Sequence, residues 1–241
     1  MTNTQNRQPL LTQPTEWTFA FGMYFLFEID VSAIRLPMPR NVHPLEVRPG
    51  VGLIGVAVYS SDAGNLNGLP AFHEVGWTVS IEPDLSRDMP TPKFSFVVGN
   101  VSSECAEFVE HANTVDKMTV YHSPTLKARI DPVRFSASFS DERGPILDLW
   151  STQKMAPRFQ ERMLWGQQVA RRQEGDWFQA WSWKGWMFDH QQGHKAAVFH
   201  PHPIFDGIDI EGLGDRCYLQ MMSKPGEPIT ETFYRPVHLR Q

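Results

Sequence analysis

The chain is 241 residues long, with a formal net charge of −5 and 20% charged residues. A charge this mild, with no basic stripe, excludes the electrostatic footprint of a nucleic-acid binder. The apolar stretch from Trp17 to Ile29 is too short to span a bilayer and carries acids at and beyond its ends, so a membrane is not an expected partner either.

In chain order, Met1 to Thr15 is polar, lacks the apolar core of a secretory signal, and is expected to be flexible. Nineteen Pro and 17 Gly are scattered rather than pooled, which predicts many short elements joined by turns. The predicted strands are Phe19–Ile29, Leu53–Tyr59, His73–Ile81, Phe94–Val98, Thr119–His122, Lys127–Ile130, Arg134–Ser140 and Ile146–Thr152. Trp177–Trp183, Ala196–His200, Tyr218–Met222 and Ile229–Phe233 complete the set. Helices are predicted at Asp30–Leu36, Ser103–Ala112 and Arg158–Arg172. In the second of these, Ser102 or Ser103 can cap, and Glu104 and Glu107 suit the positive end of the helix dipole. No repeat or composition break divides the chain, so residues 1–241 read as one domain. Cys105 and Cys217 match no zinc spacing and read as reduced, buried thiols of a cytoplasmic protein, a single disulfide being the alternative.

Several groups carry possible chemistry. Alternation along "LPAFHEVGWTV" puts Phe72, Glu74 and Gly76 on one face and His73, Val75 and Trp77 on the other. A carboxylate between aromatic and glycine neighbours sits in a poorly hydrated place, where its pKa rises and it can act as general acid or base. The aromatic run "DWFQAWSWKGWMF" holds Trp177, Trp181, Trp183 and Trp186. Trp181 and Trp183 share a face, either as core or interface or as the wall of an apolar pocket. The segment from His190 to Asp209 is rich in His and Asp. His200-x-His202 is a spacing found in metal sites, but the flanking prolines favour a turn that closes the sheet, and neither metal nor cofactor is expected. No Gly-x-Ser-x-Gly elbow and no Gly-rich phosphate loop opening a helix occurs.

Two stretches carry a wider pattern: "LPMPRNVHPLEVRPGVGLIGVAVY" followed by "GLPAFHEVGW", and Tyr121-His122-Ser123-Pro124-Thr125-Leu126-Lys127. Together they resemble the acetoacetate decarboxylase-like superfamily from about Ile34 to Ile130. That resemblance implies a mostly β (α+β) fold, a cone-shaped antiparallel β-barrel with a few peripheral helices, and often a homo-oligomer. It implies that Glu74 lies in the pocket and that Arg35 supplies a guanidinium able to fork a substrate carboxylate. Members also carry an aromatic-Gly-aromatic-Pro-Lys-Lys turn whose first Lys forms a Schiff base. Acetoacetate decarboxylase is itself the standard instance of a lysine activated by a lowered pKa. Aligned on Pro124, the two lysine places hold Thr125 and Leu126, and the upstream Arg-Glu pair is replaced by Met118 and Thr119.

The resemblance therefore implies a kept pocket without its nucleophile. Its wall is rebuilt from Met118, Tyr121, His122, Ser123 and Thr125, with His122 as the new titratable group. The expected function is a small-molecule enzyme acting on an oxo acid, enol or polyketide-like substrate by non-covalent acid–base chemistry of lyase, dehydratase, cyclase or isomerase type. In it Glu74, helped by His122 or Tyr121, moves protons, and Arg35, Phe72, Met118, Ser123, Thr125, Trp181 and Trp183 bind the substrate. Two alternatives stand beside it: a non-catalytic binder of a hydrophobic acid, and a decarboxylase that uses a displaced amine, Lys127 or, from the opposite strand face, Lys184.

Overall fold

The computed structural model describes residues 14–62, 68–82, 93–154, 156–172, 175–191 and 193–238. The N-terminal segment expected to be flexible lies, up to residue 13, outside the described residues. The strands are β1 (Thr15–Phe19), β2 (Phe21–Asp30), β3 (His43–Pro44), β4 (Glu46–Arg48), β5 (Val51–Ser61), β6 (Phe72–Glu82) and β7 (Lys93–Ser103). After helix α1 (Ala106–Thr114) come β8 (Val120–His122), β9 (Lys127–Asp131), β10 (Ser136–Asp141), β11 (Gly144–Trp150), β12 (Gln160–Arg172) and β13 (Gly175–His190). The chain ends with β14 (Ala197–Phe199), β15 (Cys217–Ser223), β16 (Ile229–Phe233) and β17 (Val237–His238).

Seven strands close into a barrel in the order β13-β12-β7-β6-β5-β2-β15, with β15 returning to β13. β13 is long enough to serve two partners: Met187–His190 pairs with β15, while Trp181–Lys184 pairs with β16. Most pairings are antiparallel, but β7 runs parallel to both β12 and β8, so the barrel is mixed. The β7–α1–β8 unit explains one of these, since parallel neighbours need a crossover and a helix supplies it. A second sheet, β14-β11-β10-β9, packs on the outer face of the barrel. Phe21 and Phe27 of β2 meet Phe135 and Phe199 there. Both faces of β2 and β5 are thus buried, which is why "FGMYFLF" and "GLIGVAVY" are almost continuously apolar.

The helices need correction. Asp30–Leu36 reduces to a 3-10 turn, Val31–Ala33, capped by the Asp30 carboxylate accepting from Ser32 N. The second helix begins later than predicted, at Ala106, with Cys105 as a cap whose side chain makes no capping bond. Arg158–Arg172 is not helical: Gln160–Arg172 is strand β12. Its Gln, Arg, Met, Leu and Ala are good helix formers, but a full ladder to β13 and a second ladder to β7 outweigh that weak preference. "HPIFDG" is a 3-10 turn, Pro203–Phe205, capped by His202. Trp77 Nε1 donates to the Ile204 carbonyl at 2.6 Å and ties this turn to the barrel. Among the described residues no helix is long and apolar enough to cross a membrane.

Candidate active site

Inside the barrel is a cavity to which all seven ring strands contribute, among them Tyr24 of β2, Tyr59 of β5, Glu74 of β6, Phe96 of β7, Gln168 of β12, Trp181 and Trp183 of β13 and Met221 of β15. Glu231 and Phe233 of β16 and Met118 complete its wall. Aromatic contacts cross the ring: Tyr59 meets Trp183 edge-on at 6.2 Å, and Tyr24 meets Phe94 at 6.4 Å. Side chains on non-neighbouring strands can touch this way only in the barrel interior. The space open to the centres of water-sized spheres is about 50 Å³, room for a few waters or a compact small molecule.

Glycines make space for the wall. A Cβ on Gly166 would lie 2.0 Å from the Trp181 ring, so the indole lies flat over the β12 backbone. A Cβ on Gly55 would lie 2.1 Å from Tyr24 Oη, which instead meets Thr78 Oγ1 at 3.1 Å.

Two carboxyls face this interior. Glu74 is 6% exposed, and burial pushes its pKa from 4.5 up to about 8. Glu231 is 8% exposed; burial first, then the nearby charges of Glu74 and Asp116, hold its pKa well above the ordinary carboxylate value. Tyr59, the cross-strand partner of Glu74, is likewise pushed well up by burial and by both glutamates. Tyr24 is raised to about 12 by burial, against the pull of its bond to Thr78. Behind the wall, Gln168 Nε2 donates to Gln179 Oε1 at 2.6 Å, and Gln179 Nε2 donates to Asp116 Oδ1 at 3.2 Å. Burial raises Asp116 to about 6, and the Gln179 bond opposes it. The three carboxyls hold their protons at higher pH than they would in water, the direction a proton-transfer group needs near neutrality, while the two tyrosines stay protonated.

No protein-family model and no curated relative matches the chain. Solved structures do. An acetoacetate decarboxylase aligns with a TM-score of 0.61 at 9% identity, covering 98% of this chain and 97% of the other. The enduracididine biosynthesis enzyme MppR aligns with a TM-score of 0.54 at 13% identity, covering 94% and 88%. An acetoacetate decarboxylase-like enzyme from Sphingomonas wittichii RW1 aligns over 100% and 99% of the two chains, with a TM-score of 0.51 at 8% identity. The chain has the acetoacetate decarboxylase-like fold.

Within that fold the residues singled out in the sequence separate into two groups. Glu74, Met118, Trp181 and Trp183 line the cavity. Phe72 lies beyond its lining, buried between Phe19 and Phe108 at the α1 end of the barrel. The others lie outside the lining. Tyr121 is exposed, and His122 is exposed with Nε2 3.1 Å from the Glu104 carbonyl. Ser123 is buried in the turn after β8 and donates to Asp141 Oδ2 at 3.2 Å; Thr125, exposed, bonds Glu142. Arg35 is a surface side chain paired with Asp209 at 3.4 Å. On β8 Val120 is buried and Tyr121 exposed, as alternation requires, while His122 at the end of the strand is exposed as well.

Lys127 is exposed at the start of β9 in the second sheet, and Lys184 is exposed on the outer face of β13. Among the described residues no lysine, arginine or histidine lines the cavity. His200 and His202 each pair with their own acid, Asp148 and Asp141, and no group of three or more metal-ligating side chains gathers among the described residues.

Glu231 was not singled out in the sequence. The signal was present: Ile229, Glu231 and Phe233 alternate with Thr230 and Thr232, which puts a carboxylate on an apolar strand face just as at Glu74.

Proposed function

We propose that the protein is a small-molecule enzyme that moves protons on an enolisable carbonyl compound of enol or polyketide type, without a Schiff base, with Glu74 as general acid and base. The observation that carries this reading is a carboxyl sealed inside the barrel whose proton is held to about pH 8. A group titrating near the working pH is the most effective proton shuttle. Protonated, Glu74 can donate to a carbonyl oxygen as an enol forms; ionised, it can take a proton from carbon. The aromatic walls exclude water, which strengthens each electrostatic interaction inside.

An oxo acid is less well supported as substrate, because Arg35, the side chain expected to hold a carboxylate, is at the surface beside Asp209. Simple decarboxylation is also disfavoured, because the carbanion left by CO₂ needs an electron sink that an iminium would provide. A second reading, a non-catalytic binding protein, is favoured by the mostly apolar and aromatic wall. The test is a panel of small ketones, enols and oxo acids offered to wild type and to Glu74→Gln, with borohydride trapping and intact mass in parallel. Turnover that falls at least about 100-fold in Glu74→Gln, with binding weakened no more than about tenfold and no lysine adduct, is the expected result. A borohydride adduct on Lys127 or Lys184 would overturn the non-covalent mechanism, and binding without turnover in wild type would favour the binder.

A further inference from the structure

The interior of the barrel has an electrostatic character that bears on what it holds. Glu74 and Glu231 reach the cavity from different strands, and each is more than nine-tenths buried. Among the described residues neither carboxyl has a hydrogen-bond or ion-pair partner. Buried polar groups without partners are rare, and a buried carboxyl gains most from a charged donor. Around the two lie Tyr24, Tyr59, Trp181 and Trp183, whose ring faces are negative and attract cations. The titratable groups turned towards the pair are Tyr24 from β2 and Tyr59 from β5, with Asp116 behind the wall. All are neutral or negative, so the field favours a positive occupant.

We propose that the cavity binds a small organic ammonium ion, whose N–H groups donate to Glu74 and Glu231 and whose alkyl part packs on the indoles of Trp181 and Trp183. An ammonium carries three donors and no acceptor, which suits two convergent carboxyls. A guest with an anionic group would meet like charge in a desolvated space. Binding is linked to protons: a carboxyl protonated in the free protein ionises against the cation and passes its proton to solvent. A space of about 50 Å³ takes a head group of about five heavy atoms without rearrangement. The inference deepens the proton-transfer reading by giving its carbonyl substrate an amine, but it concerns binding and is measured without turnover.

The probes are tert-butylammonium, tert-butanol and isobutyrate; the first two match in shape and differ in charge. Each is titrated into the full chain, followed through the indole N–H resonances at pH 6 and pH 8.5. Calorimetry in two buffers of different ionisation enthalpy counts the protons released. The expected result is an ammonium affinity at least about tenfold above that of the alcohol, rising with pH, with net proton release near neutrality and no binding of isobutyrate. Glu74→Gln and Glu231→Gln, checked for native spectra, should each weaken ammonium binding about tenfold and reduce proton release. Equal affinity for ammonium and alcohol, tighter binding of isobutyrate, or ammonium binding without proton release in wild type overturns the proposal, whatever the variants do. Ammonium selectivity without turnover of any carbonyl compound would sink the enzyme reading alone. Glu74-dependent turnover without ammonium selectivity would sink this one alone.

Discussion

Glu231 lies in the electrostatic field of Glu74, and that like charge adds to burial in holding the Glu231 proton. The two carboxyls are therefore a coupled acid pair inside one apolar space, and their protons belong to the pair rather than to either residue alone. The coupling also makes the fold sensitive to pH.

The first prediction concerns that sensitivity. Glu74 is raised from 4.5 to about 8 in the folded protein, so between those values the folded state binds more protons than the unfolded one. Its contribution to stability is fully present below about 4.5 and is lost as pH rises through about 8. The slope approaches about 1.4 kcal/mol per pH unit for one fully shifted group. Urea unfolding at pH 5, 6.5 and 8 should show wild type losing stability steadily, and Glu74→Gln losing clearly less. Equal slopes in the two proteins would mean that the Glu74 carboxyl is not buried as described.

A second prediction comes from the glycine beneath the Tyr24–Thr78 bond. Adding a methyl at Gly55 puts a Cβ 2.1 Å from Tyr24 Oη and 2.5 Å from Thr78 Oγ1. Neither atom can retreat easily, since Tyr24 is buried against the opposite wall. Gly55→Ala should destabilise by about 1–3 kcal/mol from overpacking and the lost bond. A chemical-denaturation midpoint unchanged from wild type would contradict this packing.

These residues show how far the sequence could be read. That Trp181 and Trp183 share a strand face was legible because side chains alternate with period 2 whatever the strand pairs with, whereas the place of Glu74 in the pocket came from the resemblance. Glu231 obeyed the same rule, and its strand Ile229–Phe233 was predicted, but the resemblance pointed to no acid on it and its neighbours are two Thr rather than an aromatic and a glycine. Misplacing Tyr121, His122, Ser123 and Thr125 had another cause. Aligning a turn on Pro124 carries residue order from a relative, but it does not tell which side of a three-residue strand faces the barrel. The helix expected at Arg158–Arg172 failed because local preference was strong while the deciding contacts, to Lys93–Val97 and Gly175–Met187, were remote in sequence. Barrel closure through β13 and β15 is non-local in the same way.

The last prediction tests the join between the second sheet and the turn that holds Ser123. Asp141 and His202 are each only 1% exposed at their side chains. His202 Nδ1 accepts from Ile204 N at 3.2 Å, so Nε2 carries the proton and donates to Asp141 Oδ1 at 3.1 Å. Asp141 Oδ2 accepts from Ser123 Oγ at 3.2 Å and from Arg143 Nη2 at 2.8 Å. Burial alone would raise this carboxyl; the Arg143 and His202 bonds outweigh it and hold Asp141 well below the ordinary carboxylate range. A depressed carboxyl contributes stability above its unfolded pKa, near 4, and that stability is lost as pH falls through the window below. Asp141→Asn keeps the shape but removes the charge and turns one acceptor into a donor facing Arg143 or His202. It should destabilise by about 3 kcal/mol at pH 7 and remove part of the acid sensitivity between pH 4 and pH 2. Guanidinium unfolding at pH 7 and pH 3 would measure both effects. An Asn variant as stable as wild type at pH 7 would show that the ionised carboxylate does not hold the turn to the second sheet.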